Sequence, residues 1–324
     1  MLARRVAVLG SLLCVVLSAA AGCGDSGTSS GGGGSTSETT SSTSGGNGGG
    51  GGTPSGPVTV VTWNLYNFFD TTEDTSNTSE DSQSQADYDT KLNAVVSKLS
   101  EINPDVMILV EVENEGILDD INDALGGEYI TREISEGNDP RGVDIAAMAK
   151  FPFSKVVTHA EEKFLLDGTN APTYTYSRDC PEYHFQIGDQ KVVFLGVHFK
   201  AKGPPDNPEK RLAEAQHTRA IADFLFSQDN TLAVGIMGDF NDLPGSPPVN
   251  AVLNPDPAYI DATQFAPLED QWSFNFQGAK ELIDHMMVNP VLSEKLDQSS
   301  VAIPHDTVVS QASDHAPIVA TFNF

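Results

Sequence analysis

From residue 58 onward, the hydrophobic and polar positions alternate between short apolar runs and longer stretches with helical spacing. Val106–Val112 is almost wholly apolar until Glu111, which is typical of a strand buried on both faces. In Asp87–Ile102 the apolar residues recur at helical spacing, and Asn103-Pro104 follows where the helix should end. The same patterns predict a second amphipathic helix at Glu209–Ser227 and further strands at Val58–Trp63, Val143–Ala149, Tyr183–Ile187, Val192–Phe199, Leu232–Met237, Leu282–Val288 and Ile318–Phe322.

Strands that alternate with helices in this way predict a single α+β domain over residues 58–324, with two packed sheets and helices outside them. The preceding segment is different in kind. Residues 23–57 are almost wholly Gly, Ser and Thr after the first position, so they contain little to bury. We expect this segment to be a disordered tether between the N-terminus and the domain.

The N-terminus has the composition of an export signal over residues 1–22. Arg4 and Arg5 precede an apolar stretch from Val6 to Val16 that is too short to span a bilayer, which takes about 20 residues. Residues 20–23 resemble a lipobox, although Leu or Val is commoner where this chain has Ala20. The interpretation is a lipoprotein that is anchored to a membrane through Cys23. The alternative is an ordinary secretory signal cleaved near Ala21, which would leave an extracellular protein.

Cysteine use and charge add two constraints. Cys14 belongs to the signal and Cys23 to the lipid anchor, so Cys180 alone remains and no internal disulfide is expected. The formal net charge of −27 would repel a polyanion at long range. Divalent cations would therefore have to mediate contact with a phosphate substrate. The charge does not choose between DNA and a small phosphoester, and nothing in the sequence implies a protein partner.

Polar side chains occupy the ends of the predicted strands, where a scaffold presents groups into a cleft. Each of them alone could be a capping or turn residue. Together they supply oxygen donors suited to a hard cation, and two histidines suited to proton transfer. These strand-end residues are Asn64, Glu111, His198, Asp239, Asn241, Asp284, Asp314 and His315.

Their order and surrounding sequence resemble the endonuclease/exonuclease/phosphatase superfamily, which includes pancreatic-type deoxyribonucleases and abasic-site endonucleases. The similarity spans residues 59–322, and the stretches around Asn64–Asp70 and Val197–Gly203 are most similar to extracellular bacterial nucleases. The resemblance implies a four-layer α/β sandwich in which two mixed β-sheets are flanked by helices. The matching segments are Thr62-Trp63-Asn64, Val110-Glu111, Ser177-Arg178-Asp179, Val197–Lys200, Gly238–Asn241, Ile283-Asp284-His285 and Ser313-Asp314-His315.

The resemblance also implies a metal site. Glu111 would be the principal metal-binding carboxylate, with Asn64 beside it and Asp314 completing the ligand set. Carboxylate and amide oxygens are the ligands that Mg²⁺ prefers. We therefore expect Mg²⁺ as the cofactor, with Mn²⁺ as a substitute and Ca²⁺ as a further candidate.

The implied catalytic groups are Asp239 and Asn241, which would orient the attacking water, and His315, which would face the phosphate with its imidazole oriented by Asp284. His198 would be the second histidine, near the leaving or attacking oxygen. The general base is left open, with a preference for Asp239, because an imidazole paired with a carboxylate holds its proton.

Three cationic residues are candidates for contact with substrate phosphates. Arg178 is implied by the resemblance. Lys200 follows His198 and could equally be solvated. Arg141 stands where the superfamily often has an aromatic residue, and a surface turn is the commoner interpretation of that position. Asp144 is a candidate partner for His198, with a structural hydrogen bond as the alternative. We read His159, His184, His217, His285 and His305 as structural.

The predicted activity is divalent-metal-dependent hydrolysis of a phosphodiester. An extracellular or surface-tethered nuclease that cleaves DNA is favoured, with RNA as a second nucleic-acid substrate. The alternative is a phosphatase or phosphodiesterase that acts on inositol phosphates, phospholipid head groups or other small phosphoesters. The same scaffold hosts both activities, so fold does not separate them.

Overall fold

The structure is a computed structural model that describes residues 54–73 and 82–324. The predicted signal at residues 1–22, the lipidation site Cys23 and the greater part of the tether 23–57 lie outside the described residues. Within the described part, no helix has the length and apolar character needed to span a membrane.

Besides two short 3-10 helices at Ala262–Phe265 and Leu268–Asp270, sixteen strands and six α-helices follow one another along the described chain. In chain order they are β1 (Pro57–Phe68), α1 (Gln85–Ile102), β2 (Val106–Val112), α2 (Glu115–Ala124), β3 (Thr131–Ser135), β4 (Asp144–Ala149), β5 (Lys155–Val157), β6 (Phe164–Leu165), β7 (Thr173–Tyr174), β8 (Glu182–Ile187), β9 (Gln190–His198), α3 (Pro208–Gln228), β10 (Ala233–Asp239), α4 (Pro247–Leu253), β11 (Ile260–Asp261), β12 (Phe274–Phe276), β13 (Ala279–Glu281), β14 (Asp284–Val288), α5 (Pro290–Ser293), β15 (Leu296–Ala302), α6 (Thr307–Ala312) and β16 (Ile318–Asn323).

Two six-stranded mixed sheets form the body of the domain. The first has the strand order β15-β16-β1-β2-β4-β3, and the second has the order β11-β14-β10-β9-β8-β5. In the first sheet β1 and β2 are parallel, while in the second β9 and β10 are parallel. The central strand β2 is buried at all seven positions. Its continuous apolar sequence follows from having neighbours on both sides and layers on both faces.

The two sheets pack face to face with little room between them. A Cβ atom on Gly196, in β9, would lie 2.7 Å from Cγ2 of Ile145 and 3.2 Å from Cγ2 of Ile108, both in the first sheet. A side chain at position 196 would push the sheets apart, so glycine is required there by the close approach. One buried apolar cluster therefore contains residues of both sheets, and α1 and α6 contact each other outside the first sheet.

The predicted architecture, two packed mixed sheets with flanking helices, is confirmed. The predicted strands and helices are present, with ends shifted by a few residues in most cases. Helix α1 begins at Gln85, because the Ser84 side chain accepts a hydrogen bond from the Asp87 N–H and caps the helix. The prediction missed α2, although Asn114 caps it and Ile117, Leu118 and Ile121 have the spacing of a buried helical face.

Candidate active site

The strand-end residues meet at one edge of the sandwich. Parallel strands β1 and β2 of the first sheet bring Asn64 and Glu111 to this edge, and β9 and β10 of the second sheet bring His198 and Asp239. Asp239 pairs with Asp284 across the antiparallel β10–β14 pair. The site therefore depends on packing of the two sheets, because neither sheet alone carries the whole set.

His315 and Asp284 form a buried ion pair. The His315 Nδ1–H donates to Oδ2 of Asp284 at 2.7 Å. Burial alone would lower the pKa of this imidazole, but attraction to Asp284 and the hydrogen bond with it outweigh burial and raise the pKa to about 10. The ring is therefore an imidazolium at neutral pH, with Nε2–H available as a donor. The backbone of His315 is also held in place, because the Trp63 Nε1–H donates a hydrogen bond to the His315 carbonyl at 2.9 Å.

Asp239 lies between the two sheets and is held by amide groups. Its Oδ2 accepts from Asn64 Nδ2 at 3.1 Å, and its Oδ1 accepts from the Asn241 N–H at 2.7 Å. Burial, together with repulsion from Asp284, raises the pKa of the Asp239 carboxyl to about 7. A carboxyl with that pKa exchanges a proton near neutral pH. Gly238 precedes it at φ +136°, where a Cβ would lie 2.1 Å from the Val197 carbonyl oxygen, so glycine is obligatory.

Glu111 is presented by an irregularity in its own strand. The pairing of β2 with β4 shifts register between Val110 and Val112, and Glu111 has a left-handed φ of 63°. A bulge of this kind re-aims a side chain. The Glu111 Oε2 accepts a hydrogen bond from the Asn67 N–H at 2.7 Å. Its Oε1 lies 3.5 Å from Arg141 Nη2 and 3.6 Å from His198 Nε2.

His198 has the opposite surroundings to His315. Its Nε2 lies 3.6 Å from both Glu111 Oε1 and Asp239 Oδ2, and within the described residues its buried Nδ1 has no hydrogen-bond partner. Burial and the nearby cations, Arg178 first, lower the pKa of His198 well below its usual value, so the ring is neutral. The candidate pairing with Asp144 is not formed: the Asp144 Oδ1 accepts the Gly137 N–H at 2.7 Å, which is the structural hydrogen bond of the alternative interpretation.

Of the expected metal ligands Glu111, Asn64 and Asp314, the two carboxylates have surroundings that fit a divalent cation, while the Asn64 Oδ1 accepts the Tyr66 N–H at 2.9 Å. Asp314 Oδ1 is buried and, among the described residues, has no hydrogen-bond partner, while His315 Nε2 lies 3.9 Å away. Burial raises the pKa of Asp314, and repulsion from Glu111 raises it further, so the two carboxylates act on each other through space. A buried oxygen without a partner beside a second carboxylate is the donor set of a hard cation.

A second grouping also has the spacing of a metal site. Ligand atoms of Asp239, Asp284 and His315 lie within 4.8 Å of one another. In this group the His315 Nδ1–H is donated to Asp284, and a protonated imidazole is not a metal ligand. The oxygen donors Asp239 and Asp284 remain available, so a cation held near Glu111 and Asp314 could be accompanied by one at Asp239.

The three predicted phosphate-binding cations are near the site, but they differ in how far hydrogen bonds within the protein already engage their side chains. Arg178 is buried, and it donates through Nε to Asp139 Oδ2 at 2.7 Å and through Nη1 to the Phe199 carbonyl at 3.1 Å. Arg141 lies in a turn, as the commoner interpretation of its position predicted, yet its guanidinium reaches Glu111 and also donates to Asp139 at 2.8 Å. Lys200 is half-buried, with Nζ donating to the Ala201 carbonyl at 3.0 Å.

Asp139 was missed by sequence reasoning, and it orients both arginines. Its carboxylate accepts from Arg141 and Arg178, which hold its pKa below the usual value in spite of burial. Glu214 was also missed. This fully buried carboxylate accepts the Ser177 N–H at 2.7 Å and the Lys200 N–H at 2.6 Å, which ties together the two segments that carry Arg178 and His198. The sequence signal that could have identified Glu214 was a glutamate on the helix face that is otherwise buried.

Lys91, on α1, is the third residue that the sequence did not identify. Its Nζ donates to the Tyr66 carbonyl and lies 5.6 Å and 5.3 Å from the ring centroids of Tyr66 and Phe68. Burial lowers the pKa of this lysine to about 8, although Glu111 and Asp314 act in the other direction. Tyr66 and Asn67 have φ values of 49° and 50°, and Lys91 fixes this left-handed turn, which directs the Asn67 N–H to Glu111.

Comparison with known proteins identifies this arrangement. A family model described as "Endonuclease/Exonuclease/phosphatase family" matches residues 59–313. Three similar solved structures are truncated TDP2 from Caenorhabditis elegans (17% identity, TM-score 0.54, 83% of this chain and 98% of that one), humanized TDP2 from D. rerio (16%, 0.56, 83% and 99%) and the endonuclease/exonuclease/phosphatase from Bacteroides vulgatus (15%, 0.58, 82% and 98%). At these identities the structures show a shared fold.

No curated protein matches the chain. The family match, in contrast, covers most of the domain and all the strand-end residues except Asp314 and His315, which directly follow its end. The chain belongs to the endonuclease/exonuclease/phosphatase family, whose members are phosphoesterase hydrolases that depend on divalent metal ions.

Proposed function

We propose that this protein is a Mg²⁺-dependent phosphodiesterase that cleaves nucleic acid, with DNA as the first substrate. The observation that carries the proposal is the buried trio in which a His315 imidazolium, fixed by Asp284, faces an Asp239 carboxyl with a pKa of about 7. A carboxyl that exchanges a proton near neutral pH and an imidazolium that keeps its proton as a hydrogen-bond donor, next to a cation site, supply what hydrolysis of an anionic ester requires.

The protein groups divide the chemistry as follows. Asp239, oriented by Asn64 and Asn241, takes a proton from the attacking water. His315 Nε2–H donates to a phosphoryl oxygen and stabilises the charge that grows in the transition state. Glu111, Asn64 and Asp314 would hold a bound Mg²⁺, which supplies charge neutralisation at the phosphate.

His198 and the arginines complete the proposal. Neutral His198 has Nε2 3.6 Å from both Glu111 Oε1 and Asp239 Oδ2, where it can accept a hydrogen bond from the attacking water or, as Nε2–H, donate one to the leaving oxygen. Arg178 and Arg141, braced by Asp139, and Lys200 neutralise the substrate phosphate from the neighbouring segments. The net charge of −27 makes this local cationic group necessary for an anionic substrate.

The test is hydrolysis of bis(p-nitrophenyl) phosphate by the purified protein with Mg²⁺ or Mn²⁺. We expect turnover that EDTA abolishes and added Mg²⁺ restores. Activity that persists in EDTA would contradict the metal-dependent mechanism. Plasmid, linear DNA, RNA, inositol phosphates and sphingomyelin are then assayed side by side. Faster cleavage of a small phosphoester than of either nucleic acid would favour the alternative function, which the acidic surface supports.

We also propose export and anchoring through a lipid on Cys23, with residues 23–57 as the tether to the catalytic domain at 58–324. The support is the order of Arg4 and Arg5, an apolar stretch and small residues before the cysteine. Cells that express the protein are fed a clickable fatty acid, and the wild type should incorporate the label. A Cys23→Ser variant that remains labelled would exclude this attachment site. A secreted, unlabelled wild type would support the simple secretory signal.

A further inference from the structure

A pocket of about 650 Å³ opens beside the catalytic histidine. It lies between the β12–β13 hairpin and helix α6, and Asp314 and His315 form part of its lining. Its volume lies in the range of about 300–1,000 Å³ that is usual for small-ligand sites. The strand-end pattern gave no sign of it, because its walls come from a hairpin and a short helix that the sequence did not predict.

The hairpin is attached directly to the catalytic segment. The Asn275 N–H donates to the Asp314 carbonyl at 3.1 Å, and Phe274 forms a β-bridge with His315. The Phe274 and His315 rings are 4.8 Å apart between centroids. Anything bound between the hairpin and α6 is therefore next to the groups that face the scissile phosphate.

One wall is a fixed pair of aromatic rings. The His305 imidazole stacks on the Trp272 indole with centroids 3.7 Å apart and planes 11° from parallel. His305 Nε2–H donates to the Trp272 carbonyl at 2.7 Å, and Lys280 Nζ lies 4.0 Å from the indole centroid. These contacts hold the wall in one position without a ligand, so binding an aromatic group there would cost little ordering of the protein.

The remaining lining is uncharged or already neutralised. Asn275, Thr307 and Ser310 offer amide and hydroxyl groups. The Asp306 carboxylate is bonded to Lys98 and accepts the Val309 N–H at 3.0 Å. Among the described residues that line the pocket there is no lysine or arginine. The charged lining residues His315 and Asp314 are assigned to the scissile phosphate and the metal ion, so the pocket has no further cation for a second phosphate and suits a neutral group with an aromatic part and hydroxyls.

We propose that this pocket binds a nucleoside esterified to the scissile phosphate. This inference rests on the proposed phosphodiesterase function and specifies its substrate. The base packs against the edge of the stacked Trp272–His305 pair, because His305 and Lys280 cover the two faces of the indole, and hydroxyl or amide groups of the nucleoside bond with Asn275, Thr307 and Ser310. Arg141, Arg178 and Lys200, which lie outside the lining, bind the phosphate itself. A substrate with a nucleoside on one side of the phosphate is therefore preferred over a simple alkyl ester.

The test fills the pocket from the exposed helix α6. Ser310 is exposed and lines the pocket, whereas its neighbour Gln311 is exposed and lies outside the lining. The full-length protein, Ser310→Trp and Gln311→Trp are compared on thymidylyl-thymidine and on methyl p-nitrophenyl phosphate, which has no nucleoside. We expect Ser310→Trp to lower kcat/KM for the dinucleotide about ten-fold or more, since a blocked subsite forfeits its binding energy. Its rate on the methyl ester and both rates of Gln311→Trp should be unchanged.

The outcomes separate the two levels of the proposal. A wild-type protein without activity on either ester would refute the phosphodiesterase function. Wild-type activity with equal dinucleotide cleavage by both tryptophan variants would refute the nucleoside pocket alone. Equal losses on both substrates in Ser310→Trp would also overturn it, because the change would then act on the catalytic groups. A loss by Ser310→Trp on inositol phosphate or sphingomyelin, with the dinucleotide unaffected, would assign the pocket to another head group.

Discussion

The two histidines at the site occupy contrasting environments. His315 is paired with Asp284, and this pairing overcomes burial and raises its pKa to about 10. His198 is equally buried, but its Nδ1 has no partner among the described residues, so burial, reinforced by the adjacent arginines, lowers its pKa. The same residue type is thus a fixed cation on one side of the site and a neutral ring on the other. Because both rings are buried, the hydrogen-bonding and charged partners of each imidazole decide whether it is protonated, and therefore which role it can have.

The largest expected effect is loss of the cationic histidine. His315→Ala should reduce kcat on bis(p-nitrophenyl) phosphate by about 10²-fold or more, because it removes both a proton donor and a positive charge beside the phosphate. His198→Ala should cost less, since a neutral ring contributes no charge. Steady-state kinetics on both variants measure the order. An equal or larger loss in His198→Ala would reverse the assigned roles.

Lys91 gives an intermediate prediction, because it acts on Glu111 only through the Tyr66–Asn67 turn. Lys91→Met should lower kcat/KM about ten-fold by releasing the turn that delivers the Asn67 N–H to Glu111. Lys91→Arg should recover part of the loss, because a guanidinium can still donate to the Tyr66 carbonyl. The exposed Lys155 provides a matched control, and Lys155→Met should leave kcat/KM unchanged. Full activity of Lys91→Met would remove this lysine from the account.

His159 sharpens the comparison, since it is buried like His198 but paired like His315. Its Nδ1 and Nε2 each lie 2.9 Å from a carboxylate, of Glu162 and Glu182 respectively. Burial would lower its pKa, but Glu182 and then Glu162 raise it above 6.5. Burial would raise the pKa of Glu182, yet His159 and His184 hold it at about 2, below its ordinary 4.5.

These shifts set the pH range in which the cluster stabilises the fold. The raised pKa of His159 gives stability that is complete below about pH 6.5 and is lost as pH rises through the folded value. The lowered pKa of Glu182 gives stability that is present above about pH 4.5 and is lost as pH falls towards 2. His159→Gln should therefore lower the free energy of unfolding by about 2 kcal/mol between those limits, and by less on either side. Urea unfolding of both proteins across pH measures this, and a pH-independent difference would be the contrary result.

Much of this site could be predicted from sequence because its residues end apolar strands. Asn64, Glu111, His198 and Asp239 each follow a run of buried residues, and the edge where those strands end is a consequence of the fold. The positions that escaped prediction act through tertiary contacts. Lys91, Asp139 and Glu214 lie on helices or in a turn, and no periodicity indicates which backbone group each will meet.

The environments could not be predicted either, even where the residues were. Asp144 was a candidate partner for His198, but its carboxylate accepts the Gly137 N–H instead, and no sequence pattern distinguishes these two partners. The hairpin that carries Phe274 and Phe276 was missed because its strands are three residues long and its turn is Gln277-Gly278, with φ values of 52° and 89°. A strand of three residues has too few positions to show the alternation of apolar and polar residues that predicts a strand.

The most direct test asks whether Glu111 and Asp314, which are far apart in the chain, share one cation. The Mg²⁺ concentration for half-maximal hydrolysis of bis(p-nitrophenyl) phosphate is measured for wild type, Glu111→Gln, Asp314→Asn and the double variant. Each single change should raise that concentration about ten-fold or more. The increase in the double variant should be much smaller than the product of the two single increases, because both changes disrupt the same site. Fully additive effects, or a Mg²⁺ requirement that neither change alters, would contradict the shared site.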